Sequence, residues 1–333
     1  MKIAIHQSLG FAERWIAYCE ENGIRYKIVN CYENDIVEQV ADCDALMWHH
    51  NHASPKDVKF AKQLLFSLEQ AGKKVFPDFN TTWHFDDKAG QKYLLEAVQA
   101  PFVPTFVFYS KQSALQWVKS TSFPKVFKLT KGAGSANVRL VKTRQEARKL
   151  INRAFGKGFP QYDKWNNLKE RWRKYRLGQT GFFDVAKGCV RIFHTTDFAR
   201  MTNNEKGYVY FQDFIPDNTY DIRIVVIGER AFGIKRMIRK NDFRASGSGF
   251  LVYKKSEIRE DCVAIAFTLN KKLKSQCVAI DFVFNSDQPV IVEISYGFTP
   301  QGYDPCEGYW DSDLNWYEGH FNPYGWMIEN LWK

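Results

Sequence analysis

The sequence has no apolar run long enough to span a membrane, and it passes from Lys2 straight into a short strand-like segment without a signal-peptide pattern. It also has no internal repeat and no low-complexity segment. These absences argue against a membrane-spanning, secreted or repeat protein. We therefore expect a soluble cytoplasmic protein, and its 333 residues suffice for two or three compact domains.

The cysteines lack the spacing of a disulfide framework or of a zinc site. Their number is odd, they are scattered, and none forms a CxxC pair or has a histidine at zinc-finger distance. We expect them to be reduced residues that pack in the interior. They are Cys19, Cys31, Cys43, Cys189, Cys262, Cys277 and Cys306.

The best-known phosphate-binding motifs are missing too, because the chain has neither a Walker A sequence nor a GxGxxG fingerprint. The formal net charge of +10 nevertheless favours anionic partners, which include nucleotides, phosphorylated sugars and nucleic acids. Charge alone does not choose among these partners.

Strand-like and helix-like segments alternate through the N-terminal part of the chain, and this order is typical of a parallel, Rossmann-like sheet. Within it, Ser54 and Pro55 are predicted to open a helix that Gly72 closes. We expect three parts: an N-terminal α/β domain over residues 1–85, a central subdomain over 86–205 and a C-terminal subdomain over 206–333.

A pair of carboxylates near the C-terminal end is the strongest chemical signal. Asp281 in VAIDFVF and Glu293 in VIVEIS lie in two strand-like segments joined by a polar turn. If the turn is centred on Asp287, residue 284 faces residue 290 and Asp281 lies opposite Glu293. Like charges about 5 Å apart repel by about 3 kcal/mol at an effective dielectric near 20, and a hard cation such as Mg²⁺ would remove that cost. The pair predicts a metal site for phosphate chemistry, and the alternative is an exposed acidic pair on a solvated sheet face.

Two basic, glycine-containing segments add phosphate-binding chemistry. Lys128 precedes a loop with Gly132 and Gly134, where backbone N–H groups can approach phosphate oxygens while the lysine supplies a charge. Arg236 and Arg244 flank a second stretch, in which arginines can clamp phosphoryl or carboxylate oxygens. Taken singly, the loop also fits a plain turn, and each arginine also fits a solvated basic strand.

Taken in order, these segments resemble the ATP-grasp superfamily, and most of all its ribosomal-S6-modifying-type and glutathione-synthetase-like ligases. The resemblance covers roughly residues 86–300. It implies an ATP-grasp fold of class α/β (α+β), in which an N-terminal Rossmann-like parallel-sheet domain precedes two α+β subdomains that clasp ATP. The segments that carry it are DDK, KLTKGAGSANVRLV, QDFIPD, YDIRIVVIG, KRM with DFRASGSG, and AIDFVF with VIVEIS.

The resemblance implies a nucleotide-binding set. Two lysines match those that contact nucleotide phosphates, a glycine loop matches the phosphate-covering loop, and a four-residue segment matches the hinge that holds adenine. At Asp213 the family more often has glutamate. Asp217 or Asp221 is expected to hold the ribose hydroxyls. The lysines are Lys88 and Lys128, the loop includes Gly132, Gly134 and Ser135, and the hinge is Gln212, Asp213, Phe214 and Ile215.

The resemblance also implies the metal ligands and the catalytic arginines. Asp281 and Glu293 match magnesium ligands, and two Mg²⁺ ions are expected with ATP. The third family ligand is usually an asparagine, where this chain has Ser295 on the same strand face as Glu293. Arg236 matches the arginine near the transferred phosphoryl group, and Arg244 matches a substrate-side loop.

The implied activity is ATP-dependent carboxylate–amine ligation through an acyl phosphate, which releases ADP and phosphate. An ATP-grasp kinase that phosphorylates a hydroxyl is the alternative enzyme, and a basic nucleic-acid-binding protein is the non-enzymatic alternative. Expected partners are small-molecule, glycan or peptide acids and amines. A nucleic acid is not favoured as a partner, no membrane span is expected, and a homodimer is left open.

Three features keep two interpretations each. The histidine cluster at 49–52 contacts an acidic substrate or a soft metal, or it is a polar loop. The basic, aromatic stretch 164–176 binds a single-stranded nucleic acid or a phosphorylated glycan, or it packs as a helix. The acids between 304 and 313 bind an amine or hydroxyl substrate, or they form a surface loop.

Overall fold

The computed structural model describes residues 2–131, 137–160, 172, 175, 181, 204–238 and 249–332. The chain falls into two compact units. The three-part division predicted from the sequence stays a prediction. Unit 1 comprises Met1–Asn51, Lys56–Val103 and Ile215–Lys333, and unit 2 comprises His52–Pro55 and Pro104–Phe214.

The fold mixes helices and strands, as the sequence predicts. The strands are β1 (Lys2–His6), β2 (Arg25–Val29), β3 (Ala45–Met47), β4 (Lys74–Phe76), β5 (Thr105–Phe108), β6 (Lys125–Lys128), β7 (Val138–Val141), β8 (Val209–Asp213), β9 (Tyr220–Ile227), β10 (Arg230–Met237), β11 (Leu251–Val252), β12 (Cys277–Asn285), β13 (Gln288–Ser295), β14 (Gly308–Asp311) and β15 (Trp316–Glu318). The helices are α1 (Ala12–Glu21), α2 (Ile36–Gln39), α3 (Pro55–Gln70), α4 (Phe79–Thr82), α5 (Lys88–Ala97), α6 (Lys111–Ser120), α7 (Arg144–Ala154), α8 (Glu260–Leu273) and α9 (Pro323–Asn330).

The N-terminal part of unit 1 is a four-stranded sheet in the order β2-β1-β3-β4, and all its strand pairs are parallel. The predicted Rossmann-like parallel sheet is therefore confirmed. Helix α3 begins at Pro55, and Gly72 follows its end with a φ of +86°, a conformation that glycine adopts without strain. Both helix boundaries predicted from these residues are confirmed.

A larger sheet of unit 1 has the order β13-β12-β9-β10-β14-β15, and β11 pairs with β10. Helix α8 covers one face with Cys262, Val263 and Ala266. The parallel sheet packs near the other face, where Phe76 meets Tyr296 with ring centroids 6.3 Å apart and Trp15 and Phe232 share one buried cluster. The carboxyl ends of the parallel strands therefore lie close to the end of β13.

Unit 2 contains an antiparallel sheet in the order β5-β8-β6-β7. Helices α6 and α7 bury one face of it against Phe127 and Phe211. Thr143 caps α7 by accepting the amide hydrogen of Glu146 at 3.2 Å. The Glu146 carboxylate accepts in turn from the amide of Lys142 at 2.7 Å, which resembles a capping box with its return bond displaced by one residue.

Two segments complete the C-terminal part of unit 1. Helix α8 starts at Glu260, after a 3₁₀ turn over Lys255–Glu257. The aromatic-rich chain from Gly308 onwards folds into the hairpin β14–β15 and the helix α9. Within the described residues, no helix combines the length and the apolar character that crossing a membrane requires.

Candidate active site

The hairpin of β12 and β13 places Asp281 directly opposite Glu293, as predicted. The route to this pairing differs from the prediction. Asn285 pairs with Gln288, so Phe284 faces Pro289 rather than residue 290. Ser286 and Asp287 form a two-residue turn with φ values of +49° and +67°, as in the primed turns that suit hairpins. A β-bulge between Asp281 and Phe282 then shifts the register by one residue and restores the predicted acidic pair.

Asp281 lies beside two arginines from neighbouring strands. It is 8% exposed and stands opposite Arg223 of β9. Its Oδ1 lies 3.2 Å from Arg223 Nη1 and 3.0 Å from Arg236 Nη2. Arg223 also donates to the Gly297 carbonyl at 3.2 Å, which ties this group to the segment that follows β13. The Asp281 carboxylate is therefore held by cations on the sheet itself.

Arg236 has a second carboxylate partner in Asp221. Its Nε and Nη2 donate to the two oxygens of Asp221 at 2.6 and 2.7 Å, which is the bidentate geometry of a strong ion pair. Burial raises the pKa of Asp221 to about 6, although Arg236 opposes that rise. Burial also disfavours the charge of Arg236, but Asp281 and Asp221 outweigh it and raise the arginine pKa well above its usual value.

Glu293 pairs with a lysine from helix α5. Lys88 Nζ lies 3.2 Å from Glu293 Oε1, and the lysine side chain is 6% exposed whereas that of Glu293 is 37% exposed. Asp87 caps α5 by accepting from the amides of Ala89 and Gly90, which fixes the position of Lys88 at the first helical residue. We call the six connected side chains the charged cluster: Lys88, Asp221, Arg223, Arg236, Asp281 and Glu293.

The oxygen atoms of the hairpin fit Mg²⁺ in their chemistry. Ser295 lies opposite Ala279, so it shares a sheet face with Asp281 and Glu293, as expected. Its hydroxyl accepts from the Gly297 amide at 3.2 Å. Two carboxylates and a hydroxyl are hard donors, and Mg²⁺ typically takes one or two carboxylates and completes its shell with water and phosphate oxygens. In the described part of the chain, no three His, Cys, Asp or Glu side chains converge as a complete protein metal site.

In unit 2, Lys128 and Gln212 share the sheet face that α6 and α7 do not cover. Lys128 Nζ donates to Gln212 Oε1 at 2.7 Å, and Gln212 Nε2 donates to Thr105 Oγ1 at 3.1 Å. Both residues are buried. Asp213, on the other face, forms an ion pair with Lys125. The structure therefore brings the predicted phosphate lysine and part of the predicted adenine segment together.

Three further residues of unit 2 hold the chain just after Lys128. The Thr130 amide donates to Tyr208 Oη at 2.9 Å and to Glu205 Oε2 at 3.2 Å, and Tyr208 in turn donates to Glu205. Burial, and then the charge of Glu205, raise the pKa of Tyr208 above its usual value. Sequence reasoning missed this group, since Thr130 is about 75 residues from Glu205 in the chain and only the packing of unit 2 brings them together.

The structure describes some of the remaining predicted site residues and not others. Phe214 ends unit 2 and Ile215 opens a segment of unit 1, where the Ile215 carbonyl accepts from Asn218. Asp217 is exposed and has a φ of +62°. Four predicted site residues lie outside the described residues: Gly132, Gly134, Ser135 and Arg244.

Of the features with two interpretations, the histidines are the best described. His49 stacks on Phe11 with ring centroids 3.7 Å apart, and His50 Nε2 lies 2.8 Å from Thr82 Oγ1. Both histidines are buried. Burial, with a smaller effect of Lys62, lowers the pKa of His50 well below its usual value. Both side chains therefore pack near the carboxyl ends of the parallel strands, and contact with a substrate or a metal stays a prediction.

The tail acids and the basic stretch are described less completely. Asp304 pairs with Arg14 at 2.6 Å, and Asp311 accepts from the amides of Asp313 and Asn315 inside the β14–β15 turn. Asp311 therefore accepts hydrogen bonds that hold this turn. The stretch 164–176 lies outside the described residues except for positions 172 and 175.

Comparisons with known proteins agree with this arrangement. Residues 190–301 match the family model described as a RimK-like ATP-grasp domain. A search of the curated proteins gave no match.

Solved structures give the wider likeness. A RimK domain ATP-grasp protein from Sphaerobacter thermophilus is 14% identical with a TM-score of 0.57, and the match covers 99% of both chains. D-alanine–D-alanine ligase from Bacillus anthracis is 14% identical with a TM-score of 0.54, over 89% of this chain and 86% of that one. The biotin carboxylase domain of Hydrogenobacter thermophilus 2-oxoglutarate carboxylase is 13% identical with a TM-score of 0.58, over 99% of this chain and 69% of that one. The resemblance to the ATP-grasp superfamily is therefore confirmed, and this chain has the ATP-grasp fold with a RimK-like match in residues 190–301.

Proposed function

We propose that the protein is an ATP-dependent carboxylate–amine ligase that forms an amide through an acyl phosphate. The observation that carries the proposal is the pairing of Asp281 with Glu293 beside Arg223 and Arg236, within an ATP-grasp fold. Two structural neighbours support it: one is named a ligase, and another was solved with MgADP. Cytoplasmic localisation stays a prediction.

The proposal gives the metal and phosphate groups distinct roles. Two Mg²⁺ ions held by Asp281, Glu293 and Ser295 would supply charge neutralisation at the transferred phosphoryl group. Lys128 donates to phosphate oxygens, and its bond to Gln212 fixes the direction of the ammonium group. Arg236 stabilises negative charge near the phosphoryl group, because Asp221 holds the plane of its guanidinium.

The remaining assignments are carried into the proposal by the resemblance. We assign ribose to Asp217 rather than Asp221, because both oxygens of Asp221 accept from Arg236. Lys88 contacts phosphate in addition to forming its ion pair with Glu293. Adenine lies against the segment Gln212 to Ile215. The loop with Gly132, Gly134 and Ser135 covers the phosphates, and Arg244 faces the substrate.

The proposed reaction balances in two steps. A substrate carboxylate oxygen attacks the γ-phosphorus, and the bond from that phosphorus to the ADP oxygen breaks. An amine nitrogen then attacks the carbonyl carbon, phosphate leaves with the electrons of the carbon–oxygen bond, and the nitrogen loses a proton. The protein accelerates both steps by orienting the reactants and by fixing cationic groups where phosphoryl charge lies.

The proposal is tested by screening acid and amine pairs for ADP release, and then by replacing the amine with hydroxylamine. A ligase releases ADP and phosphate only when both substrates are present, and hydroxylamine traps the acyl phosphate as a hydroxamate. ADP release with a hydroxyl compound alone, with phosphate retained on the product, would instead identify a kinase. Absence of nucleotide turnover with every pair, together with salt-dependent retention on nucleic acid, would reject both the ligase and the kinase.

A further inference from the structure

The charged cluster has no net formal charge. Its members carry three acidic and three basic groups, so the formal charges of the six side chains sum to zero. Asp281 contacts two guanidinium groups, and Glu293 contacts the Lys88 ammonium group. A divalent cation that approaches these carboxylates therefore meets acids whose charge is already compensated by fixed cations.

Arg223 supplies part of the positive charge that compensates Asp281. Its Nη1 lies 3.2 Å from Asp281 Oδ1, and its side chain is 16% exposed. Its guanidinium is also tied to the Gly297 carbonyl at 3.2 Å, two residues after Ser295. Because Arg223 stands opposite Asp281, and Asp281 opposite Glu293, the three side chains lie in one row across three neighbouring strands.

We propose that Arg223 excludes free divalent cations from the Asp281–Glu293 pair, so that the metal enters only together with a nucleotide. This inference rests on the proposed function, because it takes these acids to be the metal ligands. The cause is electrostatic: a doubly charged ion placed near Asp281 is repelled by the guanidinium at the same carboxylate. A triphosphate brings its own negative charge, and that charge offsets the repulsion.

The inference predicts an increase in metal affinity from the loss of a side chain. Arg223→Gln removes the repelling charge and leaves Asp281, Glu293 and Ser295 in place. Affinity for Mn²⁺ in the absence of nucleotide should then rise at least about tenfold, because unit charges a few ångströms apart interact strongly at protein-like dielectrics. A residue that only supports the structure would lower metal affinity when replaced, or leave it unchanged.

The experiment titrates the full-length protein with Mn²⁺ and measures free Mn²⁺ by its electron paramagnetic resonance signal. Each titration is run without nucleotide and with a nonhydrolysable ATP analogue. Wild-type protein should bind Mn²⁺ weakly alone and tightly with the analogue. Arg223→Gln should bind Mn²⁺ without nucleotide, whereas Arg223→Lys, which keeps the charge, should resemble the wild type.

Arg230→Gln is the matched control, because Arg230 lies on the same sheet but pairs with Glu329 at 3.0 Å. It changes the net charge of the protein by the same amount and should leave Mn²⁺ binding unaltered. Lys88→Gln is a second test at Glu293 should Arg223→Gln fail to fold by circular dichroism, and it should also raise affinity for free Mn²⁺.

The outcomes separate the inference from the proposed function. Unchanged affinity for free Mn²⁺ in folded Arg223→Gln overturns the inference alone, as does a gain of equal size in Arg230→Gln. Retention of nucleotide-dependent Mn²⁺ binding by Asp281→Asn, or absence of such binding in the wild type, overturns the metal assignment on which both depend.

Discussion

Asp281 and Glu293 share a predicted role but differ in their surroundings. The Asp281 side chain is 12% exposed between two arginines, whereas the Glu293 side chain is 37% exposed. A substitution at either residue removes a metal-binding carboxylate. Substitution at Asp281 also leaves two largely buried guanidinium groups with less compensation, so its structural cost should be the larger of the two.

We therefore predict that Asp281→Asn and Glu293→Gln each lower ATP consumption at least about 100-fold. Asp281→Asn should also lower the free energy of unfolding by about 3 kcal/mol, as expected when one partner of a buried ion pair is removed. ADP release and urea unfolding measure the two effects. Asp287→Asn is the control, since Asp287 lies in the exposed turn and Asn tolerates its φ of +67°. Full turnover in either site variant would contradict the metal assignment.

At the scale of single elements, the β12–β13 hairpin depends on a turn built from unfavourable residues. Ser286 and Asp287 both have positive φ, a conformation in which Asn and Gly are preferred. The double variant Ser286→Asn, Asp287→Gly should raise the free energy of unfolding by about 1 kcal/mol, because most L-residues lose about 1–2 kcal/mol in the left-handed conformation. The exposed ion pair of Asp287 with Arg259, at 2.5 Å, should cost little when lost.

Thermal unfolding measures this effect, and ADP release should not change because the register at Asp281 is set by the bulge as well as by the turn. Asp287→Asn serves as the control, since it removes the charge of that ion pair and keeps a side chain of the same shape at position 287. A lower melting temperature in the double variant than in Asp287→Asn would show that the present turn residues are favourable.

The β12–β13 and β9–β10 hairpins show how much of the site can be predicted from the sequence. The acidic pair was predicted correctly because two departures cancel: the turn differs from the predicted one by one residue in register, and a bulge shifts the register back. The bulge that compensates for the displaced turn has no marker in the sequence. The Asp221–Arg236 pair was missed although the sequence contains a signal: a two-residue connection after Ile227 pairs that residue with Arg230, and counting outward places Asp221 opposite Arg236.

Contacts between segments that are distant in sequence cannot be predicted by counting residues outward from a turn. Lys88 and Glu293 are far apart in sequence, and only the packing of α5 against β13 brings them together. The same holds for His49, whose stacking on the ring of Phe11 no local pattern could predict. Local patterns fix strands, turns and faces, whereas the partners of a buried charge depend on tertiary packing.

At the scale of the whole molecule, buried histidines make stability depend on pH. Burial, assisted by Lys62, lowers the pKa of His84 to about 4 from an ordinary value of 6.5. His84 is therefore neutral in the folded protein while it takes up a proton in the unfolded chain. Because the unfolded state binds more protons, stability is lost as the pH falls from about 6.5 towards 4.

We predict that about 2 kcal/mol of the free energy of unfolding is lost through His84 between pH 7 and pH 5. His84→Gln should abolish this loss. The difference between the free energies of unfolding measured in urea at pH 7 and at pH 5 should therefore be smaller than in the wild type. His320→Gln, at an exposed histidine, should leave the difference as it is. An equal pH dependence in His84→Gln and the wild type would contradict the assignment.

The account as a whole depends on Asp281 and Glu293 holding metal beneath a nucleotide triphosphate. The most direct measurement is a crystal structure of the protein with Mn²⁺ and a nonhydrolysable ATP analogue, in which anomalous scattering locates the metal. We expect anomalous peaks within about 2.2 Å of carboxylate oxygens of both residues and of the analogue's phosphate oxygens. Metal and terminal phosphate bound away from this hairpin would contradict the account.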